Sequence, residues 1–506
     1  MRLGAGWKVE LRLADGRRAE AFAYGKAGHG LADRLAGEKV EGAGTLAPPP
    51  RAARERLAVR HVAARLSLAE CRPAGDGRPW FRAANGLRRV LMRGTTSMSP
   101  DRRALWAGLV LGDDREEDPA VTDDFSAAGL THLLAVSGQN VAFALAAAGP
   151  LLRRFGLRGR LVAGLAVLGF FGVVVRFEPS VLRASAMAAL ALTATRIGVE
   201  ASSIRLVGLA VTGLVLVDPL LVHRLGFQLS VAATVGIAVA SAPIAGRLSG
   251  PAILTVALAT TLAAQAAVAP LLVGLGGTSP VSVPANVLAV PAAGPVMVWG
   301  LTAGLVAGLA GGAVAALIHL PSRLLLAWLA GVARLAAQVP LAPVGMVAIG
   351  ATVLLVAAAL LAPRWWRRSL VVGAMAASLV PSALTAAAAP EPLDGQPAAT
   401  GVSIWRRDGT TVAVVSAGDP ARVLGGLRRR QVDRIDLLVV DGTGRGVLGV
   451  VDAELDRHDE RVVAGSPKLD IAGLQPLLDA APIDVGPFTV SVDAKHRPIV
   501  ASTDAR

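Results

Sequence analysis

Cysteine is almost missing from this chain: one residue in 506, Cys71. An intrachain disulfide and a cysteine-ligated zinc site are therefore excluded. Charge is scarce too, at 17% against 53% hydrophobic residues, with a mean hydropathy of +0.54. A soluble chain of this length would be several domains carrying far more charge. This one reads as a polytopic membrane protein with soluble ends. Lysine hardly occurs, so the net charge of +14 rests on arginine. Part of that excess is the cytoplasmic-loop bias of any membrane protein. The remainder suits an anionic partner, such as DNA. No Gly-x-x-x-x-Gly-Lys-Ser/Thr occurs, so a phosphate-binding loop of that type is excluded, and any transport would draw its energy from another protein or a gradient. His-x-His is absent as well, and the seven histidines are scattered. Met1 leads directly into polar sequence, with no signal peptide visible.

What is present divides into four parts. Residues 1–75 alternate with period two: Trp7–Leu13, a turn at Ala14-Asp15-Gly16-Arg17, then Arg18–Gly25, with further strand-like runs at Lys39–Leu46 and Arg60–Leu68. A small β-barrel with glycine-rich turns is expected. Its arginines include Arg12, Arg17, Arg18, Arg51, Arg54, Arg56 and Arg60, with few aromatics among them. Residues 76–128 read as a linker with amphipathic helices. Trp80–Met92 has helical spacing with Arg82, Arg88 and Arg89 on a polar side, which suits the membrane interface. Ala104–Leu111 is apolar but too short to span.

Residues 129–389 hold hydrophobic segments near 131–152, 160–176, 181–196, 205–217, 226–245, 251–273, 284–312, 344–362 and 369–388, with 313–340 ambiguous. Arg153, Arg154, Arg158 and Arg160 mark a cytoplasmic loop, as do Arg196, Arg205 and Arg247, and then Arg364, Arg367 and Arg368. The first span therefore starts outside and the last exits outward. Both soluble ends are expected on the extracytoplasmic face of the inner membrane of a multi-pass protein.

Polar residues interrupt these runs. His132, Ser137, Gly138, Gln139 and Asn140 sit where a lipid-facing helix would carry Leu and Val, and each polar group in hydrocarbon needs a partner or a wet cavity. Arg183 follows Glu178-Pro179, a charged pair suited to a salt bridge at a proline break. Asp218 precedes Pro219 at a helix stop. Gln228 and Gln265 lie within apolar runs. Asn286, between Pro284 and Pro291, points to a broken or re-entrant helix. Each alone is compatible with helix–helix hydrogen bonding; together they imply a polar path. Gly300, Gly304, Gly308 and Gly312 recur every fourth residue and offer a face for close helix packing.

After Pro390–Thr400 the pattern changes. Val402–Trp405 and Thr411–Val415 flank Asp408-Gly409, a hairpin signal. Pro420–Arg430 reads as a helix and Arg434–Val440 as a buried strand, giving an α/β unit over 390–506.

The stretch Phe125–Arg154, centred on His132-Leu133-Leu134-Ala135-Val136-Ser137-Gly138, resembles the signature of the ComEC family of competence proteins, which usually reads H-L-L-A-I-S-G-L-H-V. Gln139-Asn140 stand where that family commonly has Leu-His, so position 140 keeps hydrogen bonding and has no titratable group. Leu109–Asp114, Glu178–Arg183, Gly226–Ser230 and Pro284–Pro291 resemble further family motifs in the family's order. The resemblance implies an inner-membrane channel that passes single-stranded DNA into the cytoplasm in natural transformation. It implies partners too: membrane lipid, a DNA-receptor protein and a separate cytoplasmic ATPase. It leaves the number of protomers open. It further implies that 1–75 is an OB-like domain outside the membrane. The family usually places spans ahead of that domain, so a hydrophobic stretch encoded upstream is expected.

In many relatives the C-terminal unit is metallo-β-lactamase-like, with T-H-x-H-x-D-H-x-G after the buried strand. Here the matching segment is Asp441–Gly449, with Gly442, Gly444, Gly446 and Val447 at the ligand positions and Ser416 at an upstream acidic one. None of these glycines or Val447 offers a side-chain donor. The domain is expected to be a degenerate relative without metal, cofactor, catalytic residues or nuclease activity. A small-solute transporter or scaffold that kept the fold is the alternative, and a membrane nuclease the other.

Overall fold

The computed structural model describes residues 2–441 apart from 4, 5, 135, 274–276, 278, 340, 342, 343, 388–390 and 433; beyond 441 it describes 447, 450, 451, 461–464, 475–476, 482–492 and 497–502. The N-terminal unit is a five-stranded mixed sheet. Its elements are β1 (Arg2–Leu3), β2 (Gly6–Arg12), β3 (Arg18–Tyr24), α1 (Gly25–Ala32), β4 (Lys39–Ala47), α2 (Arg54–Ala58) and β5 (Val62–Gly75). The sheet order is β1-β2-β3-β5-β4, with β3 and β5 parallel and the other pairs antiparallel. Ala21, Ala23, Ala27, Leu31, Leu68 and Cys71 form its small core. Helix α1, absent from the alternation pattern, fits because it is glycine-rich: a Cβ at Gly30 would strike the backbone of Cys71. The expected small barrel is corrected to an open sheet, since no pairing joins β4 to β1 among the described residues. β1 is only two residues long, and β4 is an exposed edge.

The helical part runs α3 (Pro79–Gly94), α4 (Pro100–Leu111), α5 (Pro119–Ala127), α6 (Thr131–Leu134), α7 (Gly138–Leu152), α8 (Leu157–Val174), α9 (Pro179–Ile197), α10 (Ser203–Val217), α11 (Leu225–Ala245), α12 (Ala252–Val273), α13 (Ser282–Ala310), α14 (Gly312–Ile318), α15 (Leu320–Ala337), α16 (Met346–Leu361) and α17 (Arg364–Ala387). Among the described residues, five helices are long and apolar enough to cross a membrane: α8, α11, α12, α13 and α15. Shorter apolar helices occupy 138–152, 203–217, 347–356 and 369–385. The ambiguous stretch 313–340 thus resolves into α14 and a helix long enough to span. Segment 181–196 forms α9, which falls short of those five in hydropathy because Arg183, Arg196, Ser180, Ser185, Thr193 and Thr195 dilute it.

The core of the bundle is built where α3, α4 and α6–α9 pack on α13 and α15, around Leu91, Trp106, Leu109, Phe125, Leu130, Met297, Leu326 and Leu329. α4, apolar yet short, is buried from Ala104 to Leu111 as a core helix. Large exposed apolar side chains such as Leu216, Ile253, Leu309 and Leu354 lie on the outward faces, as lipid contact requires.

The C-terminal unit has β6 (Leu393–Ala399), β7 (Val402–Arg407), β8 (Thr410–Val415), α18 (Pro420–Arg429), β9 (Leu437–Val440), β10 (Arg461–Ala464), β11 (Gln475–Pro476), β12 (Ile483–Val485), β13 (Phe488–Val492) and β14 (Pro498–Ser502). β7 and β8 are joined by Asp408 (φ 50°) and Gly409 (φ 77°), the left-handed pair a two-residue hairpin demands. The main sheet runs β11-β10-β9-β8-β7-β6, parallel from β8 to β11. α18 covers one face through Val423 and Leu427. The antiparallel β12-β13-β14 sheet covers the other through Phe488 and Val490. Of the expected ligand positions, Gly442, Gly444 and Gly446 lie outside the described residues, and Val447 is buried in the apolar core.

Both soluble units meet one segment, 113–124. Arg115 Nη1 donates to the carbonyls of Arg34 (3.1 Å) and Ala32 (3.4 Å) in the N-terminal unit. Arg428 of α18 pairs with Asp123, and its Nη1 donates to Ala337 O at 3.2 Å.

Candidate functional site: a polar seam around residues 129–140

Helix α5 ends in a Schellman motif. Gly129 stands at φ 68°, its N–H donates to Ser126 O, and that of Leu130 donates to Phe125 O at 2.7 Å. The close approach of Ser282 also demands glycine here, since a Cβ at Gly129 would meet Ser282 Cβ. Asn286, 6% exposed, donates to Gly129 O (3.3 Å) and Ser282 O (2.8 Å). It does not mark a broken helix: α13 is continuous from Ser282 to Ala310. Pro284 sits in the first turn, where a missing N–H costs nothing, and α13 carries Pro291 and Pro295 within an otherwise intact ladder.

The run expected as one span from 131 is interrupted. α6 stops at Leu134 and α7 starts at Gly138. Ser180 Oγ donates to Val136 O at 2.7 Å, holding the interruption against the start of α9. Ser137 Oγ donates to Asn140 Oδ1 (3.1 Å), and buried Asn140 Nδ2 donates to Leu109 O (3.0 Å), which ties α7 to the last turn of α4. Arg183 is 6% exposed, and its Nε donates to Ser230 Oγ of α11 at 2.9 Å. No ion pair joins it to Glu178, so that expected bridge is corrected. Pro179 starts α9 rather than breaking it, and this turns Arg183 inward, a turn below Glu178.

Ser137, Gly138, Asn140 and Arg183 are therefore brought together, with Ser180 of the Glu178–Arg183 motif and Ser230 of the Gly226–Ser230 motif as their partners. Asn286 adjoins them through Gly129. His132 and Gln139 are exposed. Asp218 and Gln228 stand elsewhere. Asp218 caps the 3₁₀ turn Pro219–His223 and meets His61 Nε2 of the N-terminal unit at 3.1 Å. Gln228 Nε2 donates to Val222 O at 2.7 Å. Gln265 lies half-buried on α12, joined to none of the others by a hydrogen bond among the described residues. Gly300, Gly304 and Gly308 face α3 and α4: Cβ atoms there would meet Val110, Leu91 and the Val90 carbonyl. Gly312 lies past the end of α13, at φ 53°, with nothing within 4 Å of a Cβ position, and takes no part in that contact.

Beside the seam lies a charge cluster that sequence reading missed. Asp113 accepts from Arg115 Nε (2.7 Å) and Nη2 (2.6 Å), with Arg88 at 3.5 Å and Arg176 at 3.6 Å. Burial opposes its ionisation, but the Arg115 hydrogen bonds and the three guanidinium charges outweigh it and hold the carboxyl at about 2. Burial, together with Arg176 and Arg115, brings Arg88 down to about 10 against the pull of Asp113. Glu117 goes the other way. Burial and the neighbouring Asp114 push it up to about 7, and its Oε1 is buried without a hydrogen bond. Gly112-Asp113-Asp114 was legible as part of the Leu109–Asp114 motif but not as a charge cluster, because Arg88 and Arg176 come from distant turns.

Fold and seam define a multi-pass membrane protein whose bundle encloses a polar cluster. The model of the Competence protein family matches residues 109–370, more than half of the 506 residues. The chain belongs to that family, the ComEC family. No curated protein and no solved structure matches it.

Proposed function

We propose that this chain is the inner-membrane channel through which a single DNA strand enters the cytoplasm in natural transformation. The observation that carries the reading is the interrupted α6–α7 segment: in a competence-family bundle, Ser137, Gly138 and Asn140 stand beside a buried arginine that has no carboxylate partner among the described residues. A cation kept inside an apolar bundle is a functional feature by default, and a polyanion is the ligand that repays it. The N-terminal unit is read as OB-like, in keeping with its strand order and its parallel β3–β5 pair. Arg153, Arg154 and Arg158 lie at the far end of α7 from the segment that both soluble units touch, which favours both units outside the membrane. The C-terminal unit is read as a degenerate metallo-β-lactamase relative that does no chemistry. A DNA-receptor protein would deliver the strand and a cytoplasmic ATPase would pull it.

The test is transformation frequency with tagged linear DNA in a deletion strain. The chain should restore uptake, while His132→Ala and Arg183→Ala lower it and leave the protein in the membrane. Wild-type uptake in both variants would remove the seam as the route. A deletion without effect in a transformable host would remove the channel and leave a solute transporter or scaffold.

A further inference from the structure

Arg183 makes an incomplete set of bonds. Its Nη1 reaches only the thioether of Met187, at 3.0 Å, a weak acceptor. Its Nη2 donates to nothing among the described residues, yet it is not sealed away from accessible space. Nη2 lies against the first turn of α7, where a Cβ built on Gly138 would stand 2.9 Å from it. That turn has no side-chain cap. Ser137 Oγ is used on Asn140, so the amides of Gly138 and Gln139 have no acceptor within their own helix. A guanidinium and the positive end of a 15-residue helix thus face each other with no side-chain carboxylate paired to the guanidinium among the described residues. Two positive groups set together in this way repel one another, and the arrangement is the one that oxyanions occupy.

We infer that the N-terminus of α7 and the Arg183 guanidinium form an oxyanion site that takes one phosphate group. The site itself rests on this geometry. The source of its ligand rests on the function proposed above: a phosphodiester of the passing strand, as against free phosphate. Glycine at 138 lets the guanidinium approach the helix end, and Ser230 fixes the plane of the fork.

The full chain in lipid nanodiscs is titrated with a short oligothymidylate, with the same oligomer on an uncharged methylphosphonate backbone, and with inorganic phosphate. The anionic oligomer should bind at least tenfold more weakly to Arg183→Gln than to the wild type. Arg183→Lys should fall between, Gly138→Ala should weaken binding several-fold, and the neutral oligomer should not distinguish the variants. The melting temperature of the empty protein should not fall in Arg183→Gln, because the change removes an unpaired charge; an arginine with a merely structural role would show a drop. Equal binding of the anionic oligomer to wild type, Arg183→Gln and Gly138→Ala overturns the site, and leaves the channel standing if the chain still restores transformation. Arg183-dependent binding of inorganic phosphate with no oligomer binding upholds the site and overturns nucleic acid as its source, and the channel reading falls with it.

Discussion

At the scale of single residues, the segment after α4 sets two carboxyls in opposite states within five positions. Asp113 has three guanidiniums around it, whereas Glu117 has a buried oxygen against Gly108 and only Asp114 and Asp113 as charged neighbours of note. For Glu117 the folded state raises the carboxyl from its ordinary 4.5 to about 7. The folded chain therefore holds the proton more tightly than the unfolded one. The stability this group contributes is full below about 4.5 and is lost as the pH rises through about 7. Glu117→Gln should then raise the melting temperature at pH 8, by an amount reflecting about 3 kcal/mol, and change little at pH 5. Equal effects at both pH values would mean that the group does not titrate in this range. Asp113 behaves oppositely: its contribution is present above about 4 and lost as the pH falls through about 2, far from any working pH.

At the scale of elements, α13 decides how closely the amphipathic α3 can approach. Gly308 lies under the carbonyl of Val90, and Gly94 of α3 lies against Ala307 and Gly308, so two backbones touch with no side chain between. Gly308→Ala must push α3 outward and should cost about 1–3 kcal/mol. Gly331→Ala on α15, with open space at its Cβ position, should be neutral or gain about 0.5–1 kcal/mol from helix propensity alone. Melting temperatures of the two variants side by side test this; equal losses would show that α3 is not held by that contact. The glycine spacing was legible in the sequence as a packing face, but its partner was not. Trp80–Met92 read as an interfacial helix because period and charge describe one helix at a time, while its burial on α13 depends on a residue pair more than 200 positions apart. Prolines were legible as punctuation. Pro79, Pro100, Pro119, Pro179 and Pro420 each stand in the first turn of a helix. Other prolines lie inside helices, at Pro150, Pro243, Pro270 and Pro381 and in α13, where the packing of the bundle overrides the break that Pro284 and Pro291 imply. In the seam, the residue types were legible and their partners were not: Asn140 and Asn286 tie helices through distant backbone carbonyls, and Arg183 faces Gly138 rather than Glu178.

At the scale of the whole molecule, two soluble units separated by the entire bundle in sequence converge on residues 113–124. The N-terminal unit is held through Arg115 and again through His61 to Asp218 and Arg224 to Val59 O. The C-terminal unit is held through Arg428 to Asp123 and through Gln431 to Thr385 O. Convergence on one short segment sets both units at one end of the bundle, and the function proposed above takes that end as the outer one. Cysteine labelling tests the assignment cleanly, because Cys71 is buried and serves only as a small apolar side chain in its sheet core. In a Cys71→Ala background, Arg72→Cys and Arg434→Cys each replace a side chain 81% exposed, one in each unit. Both should react with a membrane-impermeant maleimide in intact spheroplasts. Arg158→Cys, exposed in the first turn of α8, should react only once the membrane is permeabilised. Reaction of both unit cysteines only after permeabilisation would place the units inside, so that a strand would meet them after crossing rather than before. Reaction of one and not the other would break the shared docking on 113–124 itself.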